Sequence, residues 1–235
     1  MICNGIPKSG STLLMVYTEM ILKYSQQKSG QSEFQNWIKN GPVGGVENFA
    51  FNEWPKYYNQ LIDISKMKGS FVIKTHLAKS FIQDAIIVNN KTLFSIRDPR
   101  DIILSLLDHS KRSQKNGNKV FNDIDDFDKA LTLVKALSTN ALIWLQDSRI
   151  EIFRYEKLIS ETSGEVKRIA KFLEIDVEDY LVDKIIQEEK ENREFGKNQF
   201  NKGKNCRFIE EMTTNEIERC NYELENVILD LGYKI

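Results

Sequence analysis

The sequence predicts a single α/β domain, residues 1–235, in which helices flank a central parallel sheet. Short runs of β-branched and apolar residues alternate with longer segments of helical periodicity. This alternation is typical of a parallel sheet whose crossover helices cover both faces. The length agrees with one domain, because 235 residues are few for two domains of ordinary size.

Four strands and six helices account for most of the chain. The strands are predicted at Met1–Ile6, Phe71–Thr75, Thr92–Ile96 and Ile150–Tyr155. The helices are predicted at Ser11 to about Lys23, Pro99 to about Lys111, Asp126–Asp147, Glu161–Leu173, Val177–Lys190 and Thr214–Leu231. The helix at Pro99 has the clearest start, because Asp98 is a candidate N-cap and proline suits the first helical position. The charged, glycine-punctuated segment Glu188–Arg207 is interpreted as a mobile loop.

Composition and charge exclude several classes of protein. The 33 basic residues nearly cancel the 34 acidic ones, so bulk charge gives no reason to bind nucleic acid or an anionic membrane. No window approaches the roughly 18 apolar residues of a membrane span. Three scattered cysteines are too few for a disulfide framework or a zinc site. We therefore expect a reduced, cytoplasmic protein without a metal centre, and the sequence does not specify its oligomeric state.

The first motif is the loop Gly5–Thr12 (GIPKSGST), which follows a predicted strand and opens a helix. Glycines in that context let backbone N–H groups and the helix N-terminus point at one anion. The two glycines are spaced as in the P-loop of nucleoside triphosphatases, which indicates a nucleotide-binding fold of the P-loop type. Ser11, however, stands where that loop has lysine, and Lys8 lies before the second glycine, which argues against a magnesium-dependent ATPase. The alternative is a plain strand–turn–helix corner.

The second motif, Lys74-Thr75-His76, ends the second predicted strand. A histidine beyond the carboxyl end of a parallel strand lies where open α/β sheets bind ligands, and its ordinary pKa near 6.5 suits a general base. The alternative is that His76 packs against or caps a neighbouring element. The other histidine, His109, has no evident partner and is interpreted as a solvated or helix C-terminal residue.

The third motif runs from Arg97 to Ser105 and again joins a strand to a helix. Arg97 would emerge at the carboxyl end of the strand and Ser105 would lie about two turns into the helix, which offers a guanidinium and a hydroxyl to one anion. The alternative is that Arg97 and Arg100 form surface ion pairs with Asp98 or Asp101.

Together the three motifs resemble those of the cytosolic-type sulfotransferases that depend on 3′-phosphoadenosine 5′-phosphosulfate (PAPS). The resemblance implies PAPS as co-substrate and adenosine 3′,5′-bisphosphate (PAP) as product. It implies that Arg97 and Ser105 grip the 3′-phosphate and that His76 is the catalytic base. It also implies that the 5′-phosphosulfate is bound by Lys8, Ser9, Gly10, Ser11 and Thr12.

The resemblance extends less strongly to the second half of the chain. It implies that Tyr155 contacts the nucleotide, that Phe195 stacks on adenine, and that Lys202 and Gly203 belong to a segment closing over the 3′-phosphate. Ordinary packing is the alternative for both aromatic residues. Asn201 replaces the arginine of that segment, which could shift its task to Lys202, Lys204 or Arg207.

The reaction implied is in-line transfer of a sulfuryl group to a hydroxyl or amine of a small-molecule or glycan acceptor. His76 would accept the acceptor's proton, and Lys8 would stabilise charge on the bridging oxygen. The aromatic stretch Asn48–Tyr58 would line an acceptor pocket or pack in the core. Two alternatives are a P-loop kinase, which needs an acidic metal ligand on a neighbouring strand, and a non-catalytic nucleotide-binding protein, which Asn201 favours.

Overall fold

Five parallel strands form the central sheet of the computed structural model, which describes residues 1–25, 48–49, 70, 72–76, 79, 90–115, 121–194 and 203–235. The sheet order is β2-β3-β1-β4-β5. The strands are β1 (Ile2–Gly5), β2 (Asn48–Phe49), β3 (Ile73–Thr75), β4 (Thr92–Ile96) and β5 (Ile150–Arg154). The four predicted strands are therefore confirmed, β4 with the predicted bounds and the other three slightly shorter. Strand β2, at the start of the aromatic stretch, was not predicted, and the rest of that stretch lies outside the described residues.

Nine helices lie in the described part of the chain. They are α1 (Ser11–Tyr24), α2 (Pro99–Lys115), α3 (Phe127–Leu145), α4 (Tyr155–Ser160), α5 (Thr162–Phe172), α6 (Asp179–Glu194), α7 (Arg207–Glu211), α8 (Thr214–Glu223) and α9 (Glu225–Asp230). The predicted cap of α2 is confirmed, because Asp98 Oδ1 accepts a hydrogen bond from the N–H of Arg100 at 2.9 Å.

Two predictions about the C-terminal half were wrong in part. The predicted helix Thr214–Leu231 is interrupted at Leu224, which separates α8 from α9. The predicted loop from Glu188 begins later, because α6 continues through Glu194 with an ion pair between Arg193 and Glu189 one turn apart. Residues 195–202 lie outside the described residues.

The helices cover both faces of the sheet, as predicted. On one face, Cys3, Leu93 and Phe153 pack with the apolar residues of α1, α5 and α6. On the other, Ile2 and Phe94 pack with α2, α3 and the C-terminal helices. Neighbouring strand residues thus enter opposite cores, which is the two-residue period of a strand buried on both sides. None of the helices described is both long and apolar enough to cross a membrane.

The strand register places all three motifs at one edge of the sheet. Gly5 at the end of β1 is paired with Ser95 of β4, and Ser95 is paired with Phe153 of β5. Because the strands are parallel, the loop after β1, His76 after β3, Arg97 after β4 and Tyr155 after β5 follow the same carboxyl edge.

Candidate active site

The loop between β1 and α1 requires glycine at Gly10. This residue has a φ of 91°, and a Cβ built there would lie 2.6 Å from Cδ2 of Tyr155. A side chain at this position would therefore be strained in its backbone and would overlap the tyrosine ring. Lys8 also lies in the left-handed region, with a φ of 71°. The curled loop is typical of a backbone that turns its N–H groups towards one point.

Hydrogen bonds fasten the loop to β4. The Ser9 side chain is fully buried, and its Oγ lies 2.8 Å from the carbonyl oxygen and 2.7 Å from Oγ of Ser95. The N–H of Ser9 donates to the carbonyl of Ile6 at 3.0 Å. The hydroxyl and the N–H of Ser9 are thus both engaged within the protein, and Ser9 shapes the loop. Its predicted contact with a 5′-phosphosulfate stays a prediction.

Helix α1 begins with the features of an anion site. Its N-cap, Gly10, offers no side-chain cap, and its first turn holds no acidic residue. The partial positive charge of the helix start is therefore not offset by its own side chains. Ser11 is buried at this start, and Thr12 Oγ1 accepts a hydrogen bond from Nζ of Lys74 at 2.9 Å. That contact ties the helix start to β3 and adds a cation beside it.

His76 is held in one tautomer by the end of β1. Its Nδ1 lies 2.8 Å from the carbonyl oxygen of Gly5. Because a carbonyl can only accept, Nδ1 carries the proton and Nε2 keeps its lone pair. Burial, followed by the charge of Lys74, lowers the pKa of His76 from 6.5 to about 4. The imidazole is therefore neutral at pH 7, and Nε2 is able to accept a proton.

Lys8 is the second chemically distinctive group at this edge. Burial, followed by the charges of Arg112 and Lys74, lowers its pKa from 10.5 to about 8. Its Nζ lies 3.2 Å from Nδ1 of His109 in α2. The prediction that His109 is a solvated or helix C-terminal residue was therefore wrong: it is half-buried and paired with the lysine of the loop. The two residues are 101 positions apart, so no local sequence pattern could have predicted their contact.

Arg97 contacts the loop, the start of α4 and the segment that follows residue 202. Its guanidinium carbon lies 4.1 Å from the centre of the Tyr155 ring. Its Nη1 donates to the carbonyl of Lys8 at 3.4 Å, and its Nη2 donates to the carbonyl of Lys204 at 2.8 Å and to Oδ2 of Asp101 at 3.1 Å. Its buried Nε has no hydrogen-bond partner within the described residues. Arg97, Tyr155, Lys8 and Gly10 are thus brought together.

The arginines of the third motif do form ion pairs, but these are buried and not on the surface. Asp98 accepts two hydrogen bonds from Arg100, at 3.0 and 2.7 Å, and Arg97 pairs with Asp101 at 3.1 Å. All four side chains are at most 9% exposed. Each of the two acidic residues that follow β4 therefore forms a buried ion pair with an arginine.

Ser105 lies two turns into α2 and is buried. Within the described residues its hydroxyl makes no hydrogen bond to Arg97, so the structure does not by itself join the two residues predicted to grip one phosphate. Their shared role stays a prediction.

The segment that follows residue 202 returns to this site. Gly203 has a φ of 63°, and the next residue, Lys204, supplies the carbonyl that Arg97 binds. Arg207 is buried and engaged by Asp108 at 2.7 Å and by Glu211 at 2.8 Å. Because two carboxylates already bind its guanidinium, Arg207 is not the substitute phosphate ligand that the sequence offered. Asn201, Lys202 and Phe195 lie outside the described residues.

The sequence did not predict several residues whose hydrogen bonds hold the elements of the site together. Ser95 binds Ser9, and Glu156 Oε1 accepts the N–H of Asp98 at 3.0 Å while its Oε2 accepts the hydroxyl of Tyr233 at 2.9 Å. The position of Glu156 directly after Tyr155 was the only available signal, because each of these bonds spans more than 50 residues.

The chain is similar to known proteins in family and in fold. A family model described as the sulfotransferase domain matches residues 1–223. No curated protein matches the sequence. Among solved structures, mouse sulfotransferase SULT7A1 complexed with PAP is similar, with a TM-score of 0.69 and 17% identity over 97% of this chain and 84% of that one. Retinol dehydratase in complex with androsterone and the inactive cofactor PAP has a TM-score of 0.63 and 13% identity over 100% of this chain and 82% of that one.

These two neighbours share the fold of the chain at low sequence identity. The family match covers most of the 235 residues and includes all three motifs. The resemblance found in the sequence is thereby confirmed, and the chain belongs to the sulfotransferase family.

Proposed function

We propose that this sulfotransferase moves the sulfuryl group of PAPS to a hydroxyl or amine acceptor by in-line displacement, with His76 as the base. The observation that carries the proposal is the contact between His76 Nδ1 and the Gly5 carbonyl. It leaves Nε2 as an acceptor at the same edge of the sheet as Lys8 and the uncapped start of α1. A base, a cation and an anion site thus lie at the same edge of the sheet.

The donor is held by groups on both sides of this edge. The 5′-phosphosulfate lies at the start of α1, where the N–H groups of Gly10, Ser11 and Thr12 and the nearby cations suit its negative charge. Arg97 is assigned to the 3′-phosphate, because it has a single carboxylate partner, where Arg207 has two, and its buried Nε has no hydrogen-bond partner within the described residues. The ring of Tyr155 packs against its guanidinium. We assign further contacts with the nucleotide to Ser105, Phe195, Lys202 and Gly203, as the family resemblance implies.

The chemical step needs one base and one cation. As the acceptor's oxygen or nitrogen attacks sulfur, its proton passes to Nε2 of His76. The bond between sulfur and the bridging oxygen breaks, and the electron pair stays on that oxygen in PAP. The ammonium of Lys8 stabilises this developing charge. Burial is the main cause of the lowered pKa of His76, and an anion bound nearby would offset the further lowering by the charges of Lys74 and Lys8.

The acceptor is proposed to be a small molecule, with a glycan as the second candidate. Retinol dehydratase, the neighbour with 13% identity, is crystallised with androsterone or with retinol. This supports a small-molecule acceptor for the shared fold without specifying one. The site lies in a chain of nearly balanced charge, so bulk electrostatics select no strongly charged polymer as the acceptor.

The contacts of Asp98 and Asp101 favour sulfuryl transfer over a P-loop kinase. A kinase needs an acidic side chain near the loop that is free to hold magnesium. The two acids that follow β4 are each bound by an arginine. The second alternative, a non-catalytic nucleotide-binding protein, differs from the proposal only in turnover and is decided by a kinetic test.

That test is the His76→Asn variant assayed with ³⁵S-labelled PAPS and a panel of small-molecule and glycan acceptors. Nδ2 of asparagine stands where Nδ1 donates to Gly5, so the variant keeps that hydrogen bond and lacks the base. Transfer should fall by about 10²–10⁴-fold, while affinity for PAP stays within about threefold. Undiminished transfer by the variant would remove His76 from the mechanism.

A further inference from the structure

We propose that His109 is a positioning residue for Lys8, whose ammonium it holds through a hydrogen bond to its neutral imidazole until the sulfuryl donor takes over that contact. The inference rests on the proposed function, because Lys8 is the residue that assists sulfur–oxygen cleavage in that function, and His109 is proposed to orient it. His109 lies outside all three motifs.

The geometry of the pair is set from two sides. Lys8 is fixed by its place in the curled loop, with a φ of 71°. His109 is half-buried in α2, with Nδ1 3.2 Å from the lysine Nζ. The imidazole and the Phe121 ring form a T-shaped pair, with ring centres 5.8 Å apart and planes at 78°. Phe121 itself has a φ of 61°, an uncommon conformation for a bulky residue that places it beside the imidazole.

The partner of Lys8 differs in charge from the partners of the nearby arginines. Arg97 is bound by Asp101, and Arg207 is bound by Asp108, the residue that precedes His109. Each of those cations is offset by a carboxylate. An ammonium carries only donors, so Lys8 donates to a lone pair on Nδ1, and the neutral imidazole carries its proton on Nε2. His109 therefore orients Lys8 without cancelling its positive charge.

This difference suits the task of Lys8. A carboxylate partner would compete with the bridging oxygen for the ammonium, because it adds the attraction of a full negative charge to the hydrogen bond. A neutral acceptor is released at lower cost when the anionic donor arrives. Without any partner, the four-carbon side chain would sample several rotamers and would be misplaced for much of the time. Loss of His109 should therefore reduce turnover more than binding.

The kinetic test uses two replacements of His109 in two backgrounds. His109→Phe keeps an aromatic ring against Phe121 and removes the acceptor, and His109→Asn restores an acceptor, because Oδ1 stands near the position of Nδ1. We expect kcat to fall about 10–100-fold in the phenylalanine variant and to recover to within about threefold in the asparagine variant, with KM for PAPS nearly unchanged. In a Lys8→Met background, His109→Phe should cause no further loss.

Two kinetic results would overturn the proposal. The first is a phenylalanine variant as fast as the wild type. The second is an equal loss from His109→Phe with and without Lys8, which would mean that His109 acts independently of the lysine.

A spectroscopic test separates this proposal from the proposed function. The pKa of His109 is lowered to about 4 by burial and by the charges of Lys8 and Arg112. In ¹⁵N-histidine NMR spectra, Lys8→Met should move the titration of His109 to higher pH, whether or not the protein transfers sulfuryl groups. An unchanged titration would refute the contact itself. Absence of transfer by the wild type to every acceptor, with the NMR shift present, would count against the proposed function alone.

Discussion

Replacing Gly10 by alanine tests the geometry on which the site depends. The backbone φ of 91° costs a residue with a Cβ about 1–2 kcal/mol. The added methyl group would lie 2.6 Å from Cδ2 of Tyr155, and such overpacking typically costs about 1–3 kcal/mol. Together the Gly10→Ala variant should lose about 2–5 kcal/mol of unfolding free energy, which lowers the Tm by roughly 5–15 °C.

Urea denaturation and calorimetry on purified protein measure this loss, and Gly164 provides the matched control. It lies exposed in α5, and nothing is within 4 Å of a Cβ built there. Gly164→Ala should be neutral or should stabilise the protein by up to about 1 kcal/mol, because alanine is the better helix former. If Gly10→Ala proved as stable as Gly164→Ala, the described path of the loop and its contact with Tyr155 would be refuted.

Two further predictions concern titration and the support of the site. The pKa of His76 is about 4 in the folded state against 6.5 for the ordinary group, so the unfolded chain binds more protons between these values and stability is lost as the pH falls through them. From pH 7 to pH 5 the protein should lose about 2 kcal/mol of unfolding free energy through His76, and His76→Asn should abolish this part of the loss. Urea denaturation at the two pH values measures it. The same loss in the variant and the wild type would contradict the lowered pKa of His76. Tyr233→Phe should cost about 1–3 kcal/mol by removing the hydrogen bond to the half-buried Glu156, whereas Tyr222→Phe, at a residue 85% exposed, should cost almost nothing. Equal stability of the two phenylalanine variants would argue against a supporting role for Tyr233.

Local signals predicted the elements that carry the motifs. Asp98 and Pro99 predicted the start of α2, because an N-cap and a proline at the first helical position depend only on residues close by in the sequence. The interruption at Leu224 carried no such signal, because the predicted helix Thr214–Leu231 holds neither glycine nor proline. Helix α9, which follows the break, packs against the distant helix α3. Strand β2 was missed because only two residues are paired.

The chemistry of the site depended on contacts between distant residues. The sequence showed that Lys8, His76 and Arg97 would reach one edge of the sheet, because parallel strands end together. It did not show that His109 would bind Lys8 or that Arg207 would be engaged by Asp108. Such pairings are set by how α2 and α7 pack, and no spacing along the chain encodes them.

The two proposed phosphate sites require this edge of the sheet to bind a nucleotide with charge at both its 3′ and 5′ positions. Titration calorimetry with PAP and with adenosine 5′-monophosphate tests it most directly, because the two ligands differ only in the 3′-phosphate. A charge-assisted contact with Arg97 is worth about 1.5–3 kcal/mol, so PAP should bind at least about tenfold more tightly. Equal affinities would contradict the assignment of Arg97 and, with it, PAPS as the donor.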